Sequence, residues 1–166
     1  MTTDETTIAV YDAKADDYAK AFSETENEPG LLRFMSRLPK GAAVLDLGCG
    51  PGVHSAAMHS CGFRVTATDA SAAMVERART HEGVMVHQSS FSDLREQGVY
   101  DGVWANFSLL HEPRSEFPGH LSRIAAALKP EGILHLAMKT GSGESRDQLG
   151  RYYTFYSADE LRGFEL

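Results

Sequence analysis

Cysteine is scarce: Cys49 and Cys61 are the only two in 166 residues, and they form neither a Cys-x-x-Cys pair nor any metal-ligand pattern. No metal is expected, and both thiols are expected to stay reduced. No stretch approaches 18 consecutive apolar residues, which excludes a membrane-spanning helix as the chain's organising feature. The opening residues, MTTDETTIAV, carry no positive region and no apolar core of signal-peptide length, so the cytoplasm is the expected compartment. Basic residues are outnumbered 16 to 23, a net charge of -7 with no local basic cluster to offset it. That balance repels phosphate backbones and anionic lipid, so neither nucleic acid nor membrane is an expected partner. Internal repeats are absent, as is the phosphate-loop string G-x-x-x-x-G-K-[ST].

What is present is ordinary globular material, 42% hydrophobic and 23% charged, in a length suited to one domain. Helical and strand periods alternate along it. Tyr11, Ala15, Tyr18 and Phe22 make a helical stripe within residues 9–22, and a second apolar helix is predicted from Leu31 to Leu38. Strands are predicted at 43–47, 64–68, 84–87, 100–105 and 133–138. Helices between them run over 53–60, from Ser71 to about His81, and through the stripe Leu121, Ile124, Ala125 and Leu128. Consecutive strands joined by helices imply parallel pairing in an α/β, Rossmann-like doubly wound sheet. The polar stretch TGSGESRDQLG at 140–150 reads as a mobile loop.

The informative stretch is AVLDLGCGPGVHS, residues 43–55, in which a buried strand carries Asp46 and then breaks into Gly48, Gly50 and Gly52. Ligands of doubly wound sheets bind beyond the carboxyl ends of the strands, where glycine permits positive φ and close approach to the backbone. A dinucleotide fingerprint G-x-G-x-x-G would need its third glycine at position 53, which is Val53. Asp69 follows Gly48 by 21 residues, at the end of the second strand, where an acid can accept from both hydroxyls of a ribose. Asp46 adds negative charge where a phosphate would otherwise lie, so a cationic nucleoside fits better than a pyrophosphate.

The segment resembles motif I of the class I S-adenosylmethionine-dependent methyltransferases, D/E-x-G-x-G-x-G, with Asp46, Gly48, Gly50 and Gly52 matching. ATDAS at 67–71 and LKPEGILHL at 128–136 extend the resemblance, which covers roughly residues 9 to 162. It implies strand order 3-2-1-4-5 and a single domain over 1–166. Within it, 9–38 is an N-terminal lid, 43–138 a donor-binding core and 139–166 a loop and C-terminal segment. The family's sixth and seventh strands are expected to be missing or abbreviated, leaving strand five as an edge and a homodimer as a possible cover. S-adenosylmethionine is the implied cofactor and S-adenosylhomocysteine the product.

The resemblance further implies that Gly48, Cys49, Gly50 and Gly52 line the methionine and ribose portion of the donor, with Asp69 on the ribose. Ala70 and Met74 would pack near the adenine, Ser90 and Phe91 would meet the base, and Asn106 the methionine end. WANFSLLHEP at 104–113 is similar to the small-molecule branch of the family, and it differs from the [DN]PP[YF] of nucleic-acid and protein amine methyltransferases. His111 is thereby a candidate general base, with loop packing as the alternative. Tyr11 and Tyr18 are either core residues or a lid over the donor. Arg151, Tyr152, Tyr153 and Tyr156 in RYYTFYS belong either to a buried strand or to an acceptor wall. The remaining histidines (54, 59, 81, 87, 120, 135) receive no role, and Trp104 is placed in the core. The expected function is in-line methyl transfer to a small molecule. The alternatives are a donor-binding module without catalysis and a nicotinamide-dependent oxidoreductase, which Val53 at the third glycine position disfavours.

Overall fold

The computed structural model describes residues 4–21 and 28–164. Phe22, the last member of the N-terminal stripe, lies outside them. Two short helices open the chain, α1 (Glu5–Ala13) and α2 (Ala15–Ala21), followed by α3 (Pro29–Ser36). The repeating layer is β1 (Ala43–Leu47), α4 (Val53–Ser60), β2 (Arg64–Asp69), α5 (Ala72–Ala78), β3 (Met85–Gln88), β4 (Tyr100–Asn106), α6 (Phe117–Ala127) and β5 (Leu128–Ala137). A ribbon of β6 (Glu144–Arg146) and β7 (Tyr152–Thr154) and a last helix, α7 (Ala158–Arg162), complete it. Among the described residues no helix is long and apolar enough to cross a membrane.

The main sheet is five-stranded in the order β3-β2-β1-β4-β5, all parallel, as the resemblance implied. Alternation along β1 supplies both faces. Leu45 and Leu47 pack with Val103, Phe117, Leu121 and Ile124 on the α6 side, while Val44 packs with Leu31, Phe34, Met58 and Trp104 under α3 and α4. The sheet is therefore covered on both sides, and its strand ends are left as the open surface.

Four expectations are corrected. The N-terminal helix is two helices, because Asp4 caps α1 early by accepting from Thr7 N–H at 2.9 Å and the helix stops at Lys14. Leu128, read as the last position of a helical stripe, is a strand residue paired with Tyr100; α6 ends at Ala127. The third strand is shifted by one residue, to 85–88. The polar segment 140–150 contains β6, which pairs antiparallel with β7 through Glu144↔Thr154 and Arg146↔Tyr152. All three β6 residues are exposed, so no apolar alternation announces the strand.

Candidate active site

The glycine turn after β1 is shaped by its backbone. Gly48, Gly50 and Gly52 have φ of 76°, 53° and 82°, the left-handed region that other residues rarely adopt. Their reasons differ. A Cβ on Gly48 would stand 2.4 Å from Ser108 Cβ, and one on Gly52 would stand 2.8 Å from Ala78 Cβ. Those two glycines let elements pack closely. At Gly50 a Cβ would meet nothing within 4 Å, so packing leaves the space above it open. Asp69 holds the turn, its Oδ2 accepting from Gly50 N–H at 2.8 Å and its Oδ1 from Ser71 N–H at 2.9 Å.

That open space belongs to a cavity of about 480 Å³, within the usual range for small-molecule sites. It gathers most residues the sequence nominated: Asp46, Gly48, Cys49, Gly50, Asp69, Ala70, Met74, Phe91 and Asn106 from the strand ends. Tyr11 and Tyr18 reach it from α1 and α2, and His111, Arg151 and Tyr153 from the far rim. Gly52, Ser90 and Tyr152 do not line it. Gly52 opens α4 against α5. Ser90 caps a one-turn helix, its hydroxyl donating to Asp93 at 2.6 Å, and the Phe91 ring faces the cavity instead. Tyr152 contributes its backbone.

Helix α1 is strapped over the cavity from both sides. Ser71 Oγ donates to Asp12 at 2.5 Å, tying α1 to the start of α5. Tyr152 N–H donates to Thr7 Oγ1 at 2.9 Å, and Arg146 pairs with Asp4 at 2.8 Å, tying α1 to the ribbon. The strapping brings Tyr11 against Tyr18, ring centroids 5.1 Å apart and nearly perpendicular.

Electrostatically the site has two unlike ends. Burial pushes the Asp46 carboxyl up to about 7, although Ser55 Oγ donates to it at 2.5 Å. Burial also raises Asp69, opposed by its backbone donors. At the rim, His111 Nδ1–H donates to the Tyr152 carbonyl at 2.7 Å, because a carbonyl can only accept. Nε2 is left to accept from the Tyr11 hydroxyl at 2.6 Å. Burial lowers His111 to about 4, so the ring is neutral in this arrangement. Arg151 pairs with Asp147 at 2.6 Å, donates to the Tyr18 hydroxyl and stands over the Tyr11, Tyr18 and Tyr153 rings at 5.4 to 5.9 Å. Among the described residues no group of three or more His, Cys, Asp or Glu could hold a metal ion.

Sequence reasoning missed His54, Trp104, Phe107 and Lys139, all of which line the cavity. Trp104 is fully buried, as expected of a core residue, yet its indole N–H donates to His54 Nδ1 at 3.2 Å and its ring stacks on His135 at 3.7 Å. Alternation gave the available signal for Trp104: it pairs in register with Asp46, on the same face.

Comparison with known proteins is consistent with this geometry. A family model described as "Methyltransferase domain" matches residues 44–132. The chain is 36% identical over 140 residues to a cypemycin N-terminal methyltransferase of a Streptomyces sp, covering 80% of this chain and 54% of that one. It is 39% identical over 107 residues to the ubiquinone biosynthesis O-methyltransferase of Xanthomonas axonopodis pv. citri (strain 306), covering 60% and 44%. The chain thus spans about half the length of these curated relatives. Among solved structures it is similar to the DhpI complex with S-adenosylhomocysteine, with TM-score 0.74 and 27% identity over 95% of this chain and 82% of that one. Similarity to the 1,6-didemethyltoxoflavin-N1-methyltransferase of Burkholderia thailandensis is one of fold, with TM-score 0.78 and 23% identity over 94% and 72%. The family match runs from β1 through the glycine turn and the β2 carboxylate into β5, and with the sheet order it shows that this chain belongs to the methyltransferase domain family, in the class I, S-adenosylmethionine-dependent group.

Proposed function

We propose that the chain transfers a methyl group from S-adenosylmethionine to a small-molecule acceptor. The observation that carries the reading is the bare turn at Gly50, open to the cavity and tied to the Asp69 carboxylate that would receive the ribose hydroxyls. Held there by the glycine turn and Asp69, the donor would supply a methyl on a sulfonium sulfur: the acceptor's lone pair would bond the carbon, and the C–S pair would stay on sulfur in the product S-adenosylhomocysteine. The protein's task is to hold the two reactants in line at about 3 to 3.5 Å. Met74 and Phe91 would flank the adenine, Asn106 would meet the methionine end, and Tyr11 and Tyr18 would cover the donor. The relatives' names include both N-terminal and O-methylation, so the reading covers nitrogen and oxygen acceptors alike.

Asp46 gives the donor end a pH signature. Its folded-state value of about 7 stands above the ordinary 3.8. Its contribution to stability is therefore greatest below the ordinary value and declines as pH rises toward 7. A cation in the cavity favours the ionised form, so donor affinity should rise with pH through about 7, with protons released on binding. Calorimetry of S-adenosylmethionine in buffers of different ionisation enthalpy checks this. Both the proton release and the pH slope should shrink in Asp46→Asn, with Asp69 supplying what is left.

His111 would serve as the general base, acting through Tyr11. A proton leaving a hydroxyl or amine acceptor would pass to the Tyr11 oxygen as the tyrosine proton moves to His111 Nε2. For His111→Ala turnover should slow by roughly 100-fold, a typical general-base contribution, with S-adenosylhomocysteine affinity kept. Release of S-adenosylhomocysteine against a metabolite panel, with titration of the product, separates the outcomes. An unchanged rate and pH profile would remove the base assignment. Donor binding with no release from any acceptor would leave a donor-binding module.

A further inference from the structure

The cavity is electrically divided along the sheet. Asp46 and Asp69 belong to β1 and β2, on one side of β4. Lys139 lies two residues beyond β5, on the other side, with Arg151 facing the same cavity. Arg151 is largely neutralised by Asp147. Lys139 is not: among the described residues it has no carboxylate partner, and its ammonium instead stands 4.0 Å from the centre of the Tyr153 ring. Lys139 is exposed and lines the cavity without a carboxylate beside it, a charge that an anionic ligand can complete.

We propose that the acceptor carries a carboxylate, phosphonate or phosphate group, held by Lys139 with Arg151 beside it, at the β5 end of the cavity. The proposal rests on the donor reading above and names the substrate class for it. Phe107 suits the apolar remainder of such a molecule. It is half-exposed at the cavity and held at φ 52°, an unusual backbone for a bulky residue. The same cationic wall could instead receive the carboxylate of the donor's own methionine. Its position beyond β4, away from the glycine turn, favours the acceptor.

The test uses the full chain loaded with S-adenosylhomocysteine. The probes are benzoate, phenylphosphonate and citrate, each against a neutral counterpart: benzamide, dimethyl phenylphosphonate and triethyl citrate. Binding is read by quenching of Trp104, the chain's one tryptophan, and by calorimetry. At least one anion should bind tighter than its neutral counterpart by roughly tenfold or more, the scale of one charge-assisted hydrogen bond. Lys139→Met should remove that preference and Lys139→Arg restore it, while the preference for S-adenosylhomocysteine over 5′-methylthioadenosine stays the same. The proposal is overturned if no anion is preferred, or if the preference survives Lys139→Met. It is equally overturned if the variant loses S-adenosylhomocysteine but not 5′-methylthioadenosine, since the lysine would then serve the donor. Wild-type chain that fails to bind S-adenosylhomocysteine at all would remove the donor reading, a distinct result seen before any anion is added.

Discussion

Asp69→Ala should weaken S-adenosylhomocysteine binding by about 100-fold or more. Two ribose hydroxyls on one carboxylate are two charge-assisted hydrogen bonds, each contributing about 1.5 to 3 kcal/mol. The same side chain accepts from Gly50 N–H and Ser71 N–H, so its removal also loosens the turn and the start of α5. Asp69→Asn keeps one acceptor oxygen and should fall between the two. Titration calorimetry on variants whose circular dichroism matches wild type measures the effect. Full affinity in Asp69→Ala would remove the ribose assignment, and with it the main support for an adenosyl ligand in this cavity.

The second large effect separates two glycines that look alike in sequence. Gly48→Ala should destabilise the fold by about 3 kcal/mol. The left-handed backbone at φ 76° contributes about 1 kcal/mol of that, and overpacking contributes about 2. The overpacking arises because the new Cβ would lie 2.4 Å from Ser108 Cβ. Ser108 is buried and cannot move away freely, since its Oγ donates to the Leu47 carbonyl at 2.6 Å. At roughly 2–4 °C per kcal/mol for a chain of this size, Tm falls by about 6–12 °C. Gly50→Ala carries the backbone strain alone, because its Cβ enters open space. Its Tm should fall by about 2–4 °C while donor affinity drops about tenfold, as the methyl takes the place of ligand contact. Thermal unfolding and titration on both variants check the contrast. Equal Tm losses, or unchanged affinity in Gly50→Ala, would show that the open space is not where the donor rests.

Legibility followed the range of the interaction. The bounds of β1 and α4 matched their expected positions, because an apolar run broken by three glycines is a local signal. Ser71 was readable as a cap for the same reason, and its Oγ does accept from Met74 N–H at 3.1 Å. Leu128 was misread because its spacing continues the α6 stripe, and only pairing with Tyr100 makes it a strand residue. β6 was invisible because the strand is wholly exposed and its register comes from β7. His54 carried no spacing signal, since its partner Trp104 is 50 residues away.

By itself the chain of residues was enough to indicate the family, through its resemblance the parallel sheet order, and the glycine turn with its carboxylate. The turn depends on backbone freedom at Gly48–Gly52 and on an acid one strand later, features set within a single β-α-β unit, and the motifs at 67–71 and 128–136 carry the resemblance across the sheet. Only the tertiary structure decided the rim. The Tyr11–His111 contact joins residues 100 apart, His111 meets the Tyr152 carbonyl across 41, and Lys139 finds a ring instead of a carboxylate. Such meetings depend on which strand neighbours which and on where α1 is strapped, and no local pattern of side chains encodes either.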